Sequence, residues 1–246
     1  MTAARSRRRA RARRVRVPRD LARPFAALVA ALALASLVLA LSGSYPIREV
    51  EVAGASRVDP RTVREAAGLE GASVFWASAA AAASRVGALP AVRRARVTIR
   101  LPDRAVVEVE ERRPALFITS AGTTLFADES GVLFAAAGPA SGLATLEDET
   151  GAARAGARVE PALVAAAVQI AAREPAYFGR AVERIRLTSG YGLVVVLSGG
   201  TELRLGTPDQ VDVKLETARQ IVVARAGNRL DYVDVRNREN PVFFPN

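Results

Sequence analysis

The chain has 246 residues, half of them hydrophobic, with 35 basic and 25 acidic side chains and a formal net charge of +10. This length suits two small domains plus accessory segments. Cysteine and histidine are both absent, which excludes disulfides, thiol nucleophiles, Cys/His metal sites and Ser-His-Asp triads.

The positive charge is concentrated at the N-terminus. Residues 1–24 hold ten arginines against one acidic residue, Asp20, and so carry nine of the ten net positive charges. A block of like charge does not fold by itself. We interpret residues 1–23 as a cytoplasmic tail that sets membrane topology. A nucleic-acid-binding arm is the alternative, and the nearly neutral remainder of the chain does not favour it.

An apolar run follows the tail. In residues 25–41 the only polar residue is Ser36, and as a helix this run would be about 26 Å long, against about 30 Å of hydrocarbon in a bilayer. We predict a transmembrane helix over 24–44, with the lipid bilayer as its partner. The positive-inside rule then puts the N-terminus in the cytoplasm and residues 45–246 outside. A cleaved signal peptide and a buried core helix are the alternatives.

Residues 45–115 combine alternating runs with two short helices. A half-buried strand over 47–52 precedes a helix that starts at Asp59-Pro60, and an alanine-rich helix covers about 77–86. Two further runs of alternating apolar and polar residues, at 94–101 and 107–110, predict a hairpin. Its arginines and glutamates share the solvent face only if the paired residue numbers have an even sum. We predict a sum of 206, with Val97 opposite Val109.

Two aromatic residues, Phe75 and Trp76, precede the second helix. We predict that at least one of them fills the core of this domain and does not serve as a binding aromatic.

The order strand, helix, helix, strand, strand resembles the POTRA domain. The pieces that carry the resemblance are Val50 to Gly54, Gly71 to Phe75, Leu89 to Val92 and Val107 to Pro114. One such domain directly after a single N-terminal membrane helix is similar to the bacterial cell-division FtsQ/DivIB family.

Residues 116–246 predict a mixed β-sheet domain with two or more helices, which makes the whole chain α+β. The predicted strands lie at 115–119, 124–127, 132–135, 182–187, 191–197, 201–205, 232–236 and 242–244. The predicted helices begin at Pro161 and after Thr207, which we expect to act as an N-cap in a capping box with Gln210. Residues 136–160 predict a loop. The resemblance to FtsQ extends here through Leu205-Gly206 and residues 232–236.

No catalytic constellation is found. The only lysine, Lys214, lies inside an amphipathic helix, and the acidic cluster 147–149 lacks the spacing of a calcium loop. We therefore predict no catalytic residues, no metal ligands and no cofactor. An envelope enzyme, the other alternative, would need a catalytic nucleophile or a metal site, and we identify neither in the sequence.

The last apolar segment is a candidate partner-binding site. A terminal strand is expected at a sheet edge, where it can accept a partner strand, and alternation lets only one of its two phenylalanines face inward. The resemblance implies that a partner docks at this strand and the turn before it. The candidate residues are Arg236, Asn237, Glu239, Asn240, Val242, Phe243 and Phe244.

The resemblance implies a non-enzymatic, membrane-anchored scaffold of the division machinery. It implies a single-pass protein of the cytoplasmic membrane, enriched at the division septum, whose partners are single-pass coiled-coil proteins like FtsB and FtsL. The alternative is a POTRA-type interaction module of protein export or envelope assembly.

Overall fold

The computed structural model describes residues 19–41, 45–135, 142–173, 177–226 and 229–245. The helices in these ranges are α1 (Arg19–Leu41), α2 (Pro60–Ala67), α3 (Ala79–Gly87), α4 (Pro161–Ala171) and α5 (Val211–Ala224). The strands are β1 (Glu49–Ala53), β2 (Val92–Arg100), β3 (Arg104–Glu111), β4 (Leu116–Ser120), β5 (Thr123–Ala127), β6 (Leu133–Ala135), β7 (Ala144–Asp148), β8 (Val182–Thr188), β9 (Gly192–Leu197), β10 (Glu202–Gly206), β11 (Leu230–Asp234) and β12 (Val242–Pro245).

The predicted N-terminal tail and membrane helix fall only partly within the described residues. Helix α1 begins inside the tail, at Arg19, and ends at Leu41, whereas residues 1–18 and 42–44 lie outside the described ranges. A hydropathy search of the described residues finds no helix both long enough and apolar enough to span a bilayer.

The first domain has the predicted order β-α-α-β-β. Its three strands form one sheet in the order β1-β3-β2, with β1 parallel and β2 antiparallel to β3. Helix α2 starts where the sequence predicts, because the Asp59 carboxylate accepts a hydrogen bond from the amide of Arg61. It ends at Gly68, which has the left-handed conformation. Buried aliphatic side chains such as Val63 and Val107 join the helices to the sheet.

The hairpin of β2 and β3 has an even register, but the predicted pairing of Val97 with Val109 is wrong. Val97 lies opposite Val107, so the residue numbers sum to 204. The turn contains only residues 101–103, and its closing pair is therefore Arg100 with Arg104. An even sum still places the charged side chains on one exposed face, as expected.

The prediction that Phe75 or Trp76 fills the core is also wrong. Their side chains are 49% and 63% exposed. The inward position in this segment is taken by Val74, which is buried with the other aliphatic residues of the domain. The two aromatic residues follow it in a turn before α3 and face outward.

The second domain is built on a nine-stranded sheet in the order β12-β11-β10-β9-β8-β7-β4-β5-β6. The sequence predicts a loop over 136–160, but β7 lies in this range, parallel to both β4 and β8. Leu146 is its only large apolar residue, which is why alternation alone does not reveal a strand. Leu146 is completely buried in the core between the sheet and its helices.

The two faces of the large sheet are covered differently. Helix α4 packs on β4, β7 and β8, and α5 packs on β10 and β11, so one apolar core runs under both. On the other face, ion pairs link Arg186 and Arg204 to Glu202. Val194 is opposite Arg186 on one neighbouring strand and Arg204 on the other, and it is fully buried. The aliphatic stems of these arginines cover this second face.

The predicted capping box at the start of α5 is absent. The helix begins at Val211 after Gln210, whose φ is 49° and whose side chain makes no capping hydrogen bond. The segment is instead held by Lys214, whose Nζ donates to the Thr207 carbonyl oxygen at 2.8 Å and pairs with Asp209 at 3.3 Å. A buried lysine thus replaces the capping side chain that local sequence favours.

One arginine joins the two domains. Arg112, just after β3, donates through Nε to the Pro90 carbonyl oxygen at 2.9 Å and through Nη1 to Asp128 at 2.8 Å. Asp128 lies between β5 and β6 and also accepts hydrogen bonds from Ser130 and Val132. Burial raises the pKa of Asp128, but its hydrogen bonds and the Arg112 charge outweigh burial, so the pKa is lowered.

Candidate partner-binding site

Strand β12 forms an edge of the nine-stranded sheet, as the sequence predicts. It pairs antiparallel with β11, where Val242, Phe243 and Phe244 lie opposite Asp234, Val233 and Tyr232. No other described strand pairs with its outer side. Backbone amides and carbonyls on that side are therefore available to an added strand.

The two phenylalanines face opposite ways, and the structure decides which is which. Phe243 is half-buried against the core of the second domain, with the Arg225 guanidinium 4.5 Å from its ring centroid. Phe244 is 54% exposed and Val242 is 55% exposed. The outer face of β12 is therefore apolar, and Phe244 is its aromatic residue.

Phe244 ends a row of stacked side chains that runs from the turn before β9 across β10 and β11 to β12. Its ring stacks on Tyr232, with centroids 6.0 Å apart and planes 6° from parallel. The guanidinium carbon of Arg204 is 4.0 Å from the Tyr232 centroid and 3.9 Å from that of Tyr191. Cation–π contacts of this kind are worth about 0.5–2 kcal/mol each. The row Tyr191, Arg204, Tyr232, Phe244, called the stacked row below, supports the exposed ring from beneath.

The sequence analysis missed three members of the stacked row. Arg204 and Tyr232 lie on the polar side of their alternating strands, and Tyr191 stands just before β9. The available signal is this alternation, since Glu202 and Arg204 of β10, Tyr232 and Asp234 of β11, and Val242 and Phe244 of β12 share one face. Strand pairing across the chain is needed to show that they touch.

The turn between β11 and β12 brings the remaining candidate residues together. Arg236 Nε lies 3.0 Å from both carboxylate oxygens of Asp234, and Nη2 donates to Oδ2 at 2.7 Å. The side-chain oxygen of Asn237 accepts a hydrogen bond from the amide of Glu239, and its carbonyl oxygen accepts one from the amide of Asn240. Residues 236–240 of the turn are exposed, so they form a surface next to β12.

The ion pair between Asp234 and Arg236, at the start of this turn, stabilises the charged form of both side chains. Burial raises the pKa of Asp234, but hydrogen bonds and the positive charge of Arg236 outweigh burial, and the pKa is lowered. The same hydrogen bonds raise the pKa of Arg236. The pair holds Arg236 in place, with its guanidinium 5.2 Å from the Tyr191 centroid, next to the stacked row.

Across the described parts of the chain, no three acidic side chains converge in a way that could hold a metal ion. Lys214, the only lysine, uses its ammonium group to hold the segment before α5. The arrangement at the C-terminal edge is suited to binding a polypeptide.

Two protein families match the chain over adjacent ranges. Residues 45–112 match the FtsQ-type POTRA domain, and residues 115–236 match the C-terminal domain of the cell-division protein FtsQ/DivIB. The chain belongs to the FtsQ/DivIB family. The second match ends at Arg236, before β12.

Relatives of known identity carry the FtsQ name. The cell division protein FtsQ of Corynebacterium glutamicum is 29% identical over 184 residues, which is 74% of this chain and 81% of the relative. FtsQ of Chloroflexus aurantiacus is 25% identical over 198 residues, covering 79% of this chain and 72% of the relative. FtsQ of Chloroflexus aggregans is 24% identical over 206 residues, covering 82% and 75%. As a member of this family, the chain is a cell-division protein.

Proposed function

We propose that this FtsQ family member is a non-enzymatic, membrane-anchored scaffold of the bacterial divisome. Helix α1 anchors the protein in the cytoplasmic membrane with the arginine-rich tail inside the cell. The open edge of β12 recruits a single-pass, coiled-coil partner of the FtsB or FtsL kind at the septum. The single observation that carries the proposal is the outer side of β12, which no other described strand pairs with, together with the exposed Phe244 supported by the stacked row.

The support for an anchor comes from the sequence and from exposure. The run 25–41 contains one polar residue, Ser36, and follows a stretch with nine of the ten net positive charges. The side chains of residues 24–39 are exposed in α1, including Phe25 at 68% and Leu37 at 50%. Apolar side chains exposed on every face of a helix are stable in lipid and costly in water.

The support for docking at β12 comes from its length and chemistry. Pro241 precedes the strand and Pro245 is its last residue, and neither has an amide hydrogen. Within β12 only residues 242–244 therefore carry amides, and alternation directs at most two of these three towards an added strand. Three residues of main-chain pairing give little binding energy alone. Burial of the exposed Phe244 and Val242 side chains would supply the larger part, as central aromatic residues do in protein interfaces.

Substitution of the two phenylalanines separates docking from folding. Phe244→Glu should leave the melting temperature nearly unchanged and weaken partner binding by about 1–3 kcal/mol, or roughly 5- to 150-fold. Phe243→Glu should destabilise the domain, because it buries a carboxylate against the core. The control is Val213→Glu on α5, where the native side chain is 46% exposed.

The measurement is binding of the full chain in detergent to the cognate FtsB-like protein, together with septal localisation of fluorescent fusions in cells. Normal binding by Phe244→Glu, or an equal loss of binding in Val213→Glu, would contradict docking at β12. The anchor is tested separately, because an anchored protein stays in membranes after alkaline extraction.

A further inference from the structure

The exposed large hydrophobic residues of the first domain are not scattered. In the described range 45–113 they are Tyr45, Phe75, Trp76 and Leu101, with exposures of 40%, 49%, 63% and 70%. Scattered single apolar residues on a surface are normal, whereas a cluster marks a contact surface. Backbone geometry shows that these four residues belong to one end of the domain, and we call them the apolar end.

The first loop of the apolar end is fixed beside the start of the domain. Pro46 and Ser73 form an antiparallel bridge, and the amide of Val74 donates to the Tyr45 carbonyl oxygen at 3.0 Å. Residues 73–77 then form a tight turn, in which the amides of Trp76 and Ala77 donate to the Ser73 carbonyl oxygen, so Phe75 and Trp76 stay close to Tyr45. The rings of Tyr45 and Phe75 pack edge to face, with centroids 5.6 Å apart.

The second loop of the apolar end is the turn between β2 and β3, which carries Leu101. The amide of Arg48 donates to the Asp103 carbonyl oxygen at 2.8 Å, so this turn lies beside the start of β1. The parallel pairing of β1 with β3 begins at Glu49 and Arg104, at the same end of the sheet. Both loops therefore project from the end of the domain where the chain comes from α1.

We propose that the apolar end inserts into the interfacial region of the lipid bilayer, so that the POTRA domain rests on the membrane. The inference rests on the proposed anchoring by α1. Four Cα steps separate Leu41 from Tyr45, so the two residues are at most about 14 Å apart. The interfacial region is about 5–8 Å thick on each side of the hydrocarbon. Tyr45 and its neighbours are thus within reach of it.

The chemistry of the apolar end matches this location. Tryptophan and tyrosine are enriched at membrane–water interfaces because their rings are apolar and their polar groups remain hydrated. Phe75 and Leu101 would add apolar surface on the lipid side. Arg48 and Arg100 are exposed at the same end and can pair with lipid phosphates. The covalent connection to α1 keeps the apolar end close to the bilayer, whereas no covalent connection would keep a partner protein close to it.

The sequence provides a specific probe, because Trp76 is the only tryptophan in the chain. The full-length protein is reconstituted into vesicles of anionic and zwitterionic lipids that carry a nitroxide quencher either near the head group or deep in the acyl chain. We expect Trp76 emission at a shorter wavelength than in unfolded protein, and stronger quenching by the shallow label than by the deep one.

A variant in the other loop distinguishes membrane contact from local structure. Leu101→Asp lies outside the 71–76 loop, yet it should lift the apolar end from the lipid and reduce shallow quenching of Trp76 by more than half. The control is Val223→Asp on α5. Like Leu101→Asp, it replaces an exposed aliphatic side chain with a carboxylate, and it should leave the quenching of Trp76 unchanged. The far-UV spectrum of both variants confirms folding.

The outcomes separate this inference from the anchor. If the protein resists alkaline extraction but neither label quenches Trp76, the apolar end does not contact lipid and the inference is wrong, while the anchor stands. If Trp76 becomes shielded only when a partner protein is added, the apolar end is a protein-docking surface and the inference is also wrong. Loss of the protein on alkaline extraction overturns the anchor itself.

Discussion

Glu111, the last residue of β3, holds the loop that follows β1. Its carboxylate accepts hydrogen bonds from the amides of Ser56 at 2.7 Å, Arg57 at 2.8 Å and Val58 at 2.9 Å, and from the Ser56 hydroxyl at 2.8 Å. Replacement by alanine removes every one of these bonds. We therefore expect residues 56–58 to open locally in Glu111→Ala while the sheet remains intact.

The free energy that Glu111→Ala removes from the 56–58 loop follows from the number of hydrogen bonds lost and from their exposure to water. A hydrogen bond to a charged group is worth about 1.5–3 kcal/mol when buried, but water replaces part of it at this exposed loop. Three amides at a discounted value give a loss of about 2–3 kcal/mol, or roughly 30- to 150-fold in amide protection. Glu111→Gln keeps one acceptor oxygen, so its loss should be about 1 kcal/mol, or about fivefold.

Hydrogen exchange followed by mass spectrometry measures this opening peptide by peptide. The control is Glu110→Ala, which removes the neighbouring carboxylate and only an exposed ion pair to Arg93 at 3.2 Å. Such pairs contribute about 0–1 kcal/mol. If Glu111→Ala and Glu110→Ala exchange at the same rate over residues 56–58, the carboxylate does not hold this loop.

The same contacts predict a pH dependence. Burial raises the pKa of Glu111, but the hydrogen bonds from Val58, Ser56 and Arg57 outweigh burial and lower it below its ordinary value of 4.5. A lowered folded-state pKa means that the stabilisation is fully present above 4.5 and is lost as the pH falls through the folded value. The protection difference between wild type and Glu111→Ala, compared at equal pH, should therefore shrink in acid.

Three further substitutions test other parts of the fold. Lys214→Met should lower the free energy of unfolding by about 1 kcal/mol in a urea titration, because it removes the donor from the partly buried Thr207 carbonyl oxygen before α5. Gly131→Ala should lower the melting temperature more than Gly122→Ala, because both glycines have φ near 80° but only Gly131 faces a backbone oxygen, 2.1 Å from an added Cβ. Arg219→Gln should raise the pKa of Glu216 from about 2 towards 4.5, since the Arg219 hydrogen bond is the main cause of the lowered value. An NMR titration of Glu216 in both proteins measures this change.

Local sequence was sufficient for some elements whose bounds depend on neighbouring residues, as in α2, but not for the start of α5. Asp59, Pro60 and Gly68 define the bounds of α2, because caps act within one helical turn. Alternation located most strands, and the separate expectation that the last strand lies at a sheet edge is confirmed. The order of elements in the first domain then followed. Period-two alternation also showed that only one of Phe243 and Phe244 could face the core.

Tertiary structure decided everything that depends on pairing between distant segments. β7 is a strand because β4 and β8 supply partners on both sides, although its own residues give little sign of it. The stacked row exists because β10 brings Arg204 between Tyr191 and Tyr232, which are 41 residues apart in the chain. Main-chain hydrogen bonds across a sheet do not depend on side-chain identity, so the sequence could not say which strands meet, nor that Phe244 is the residue left exposed.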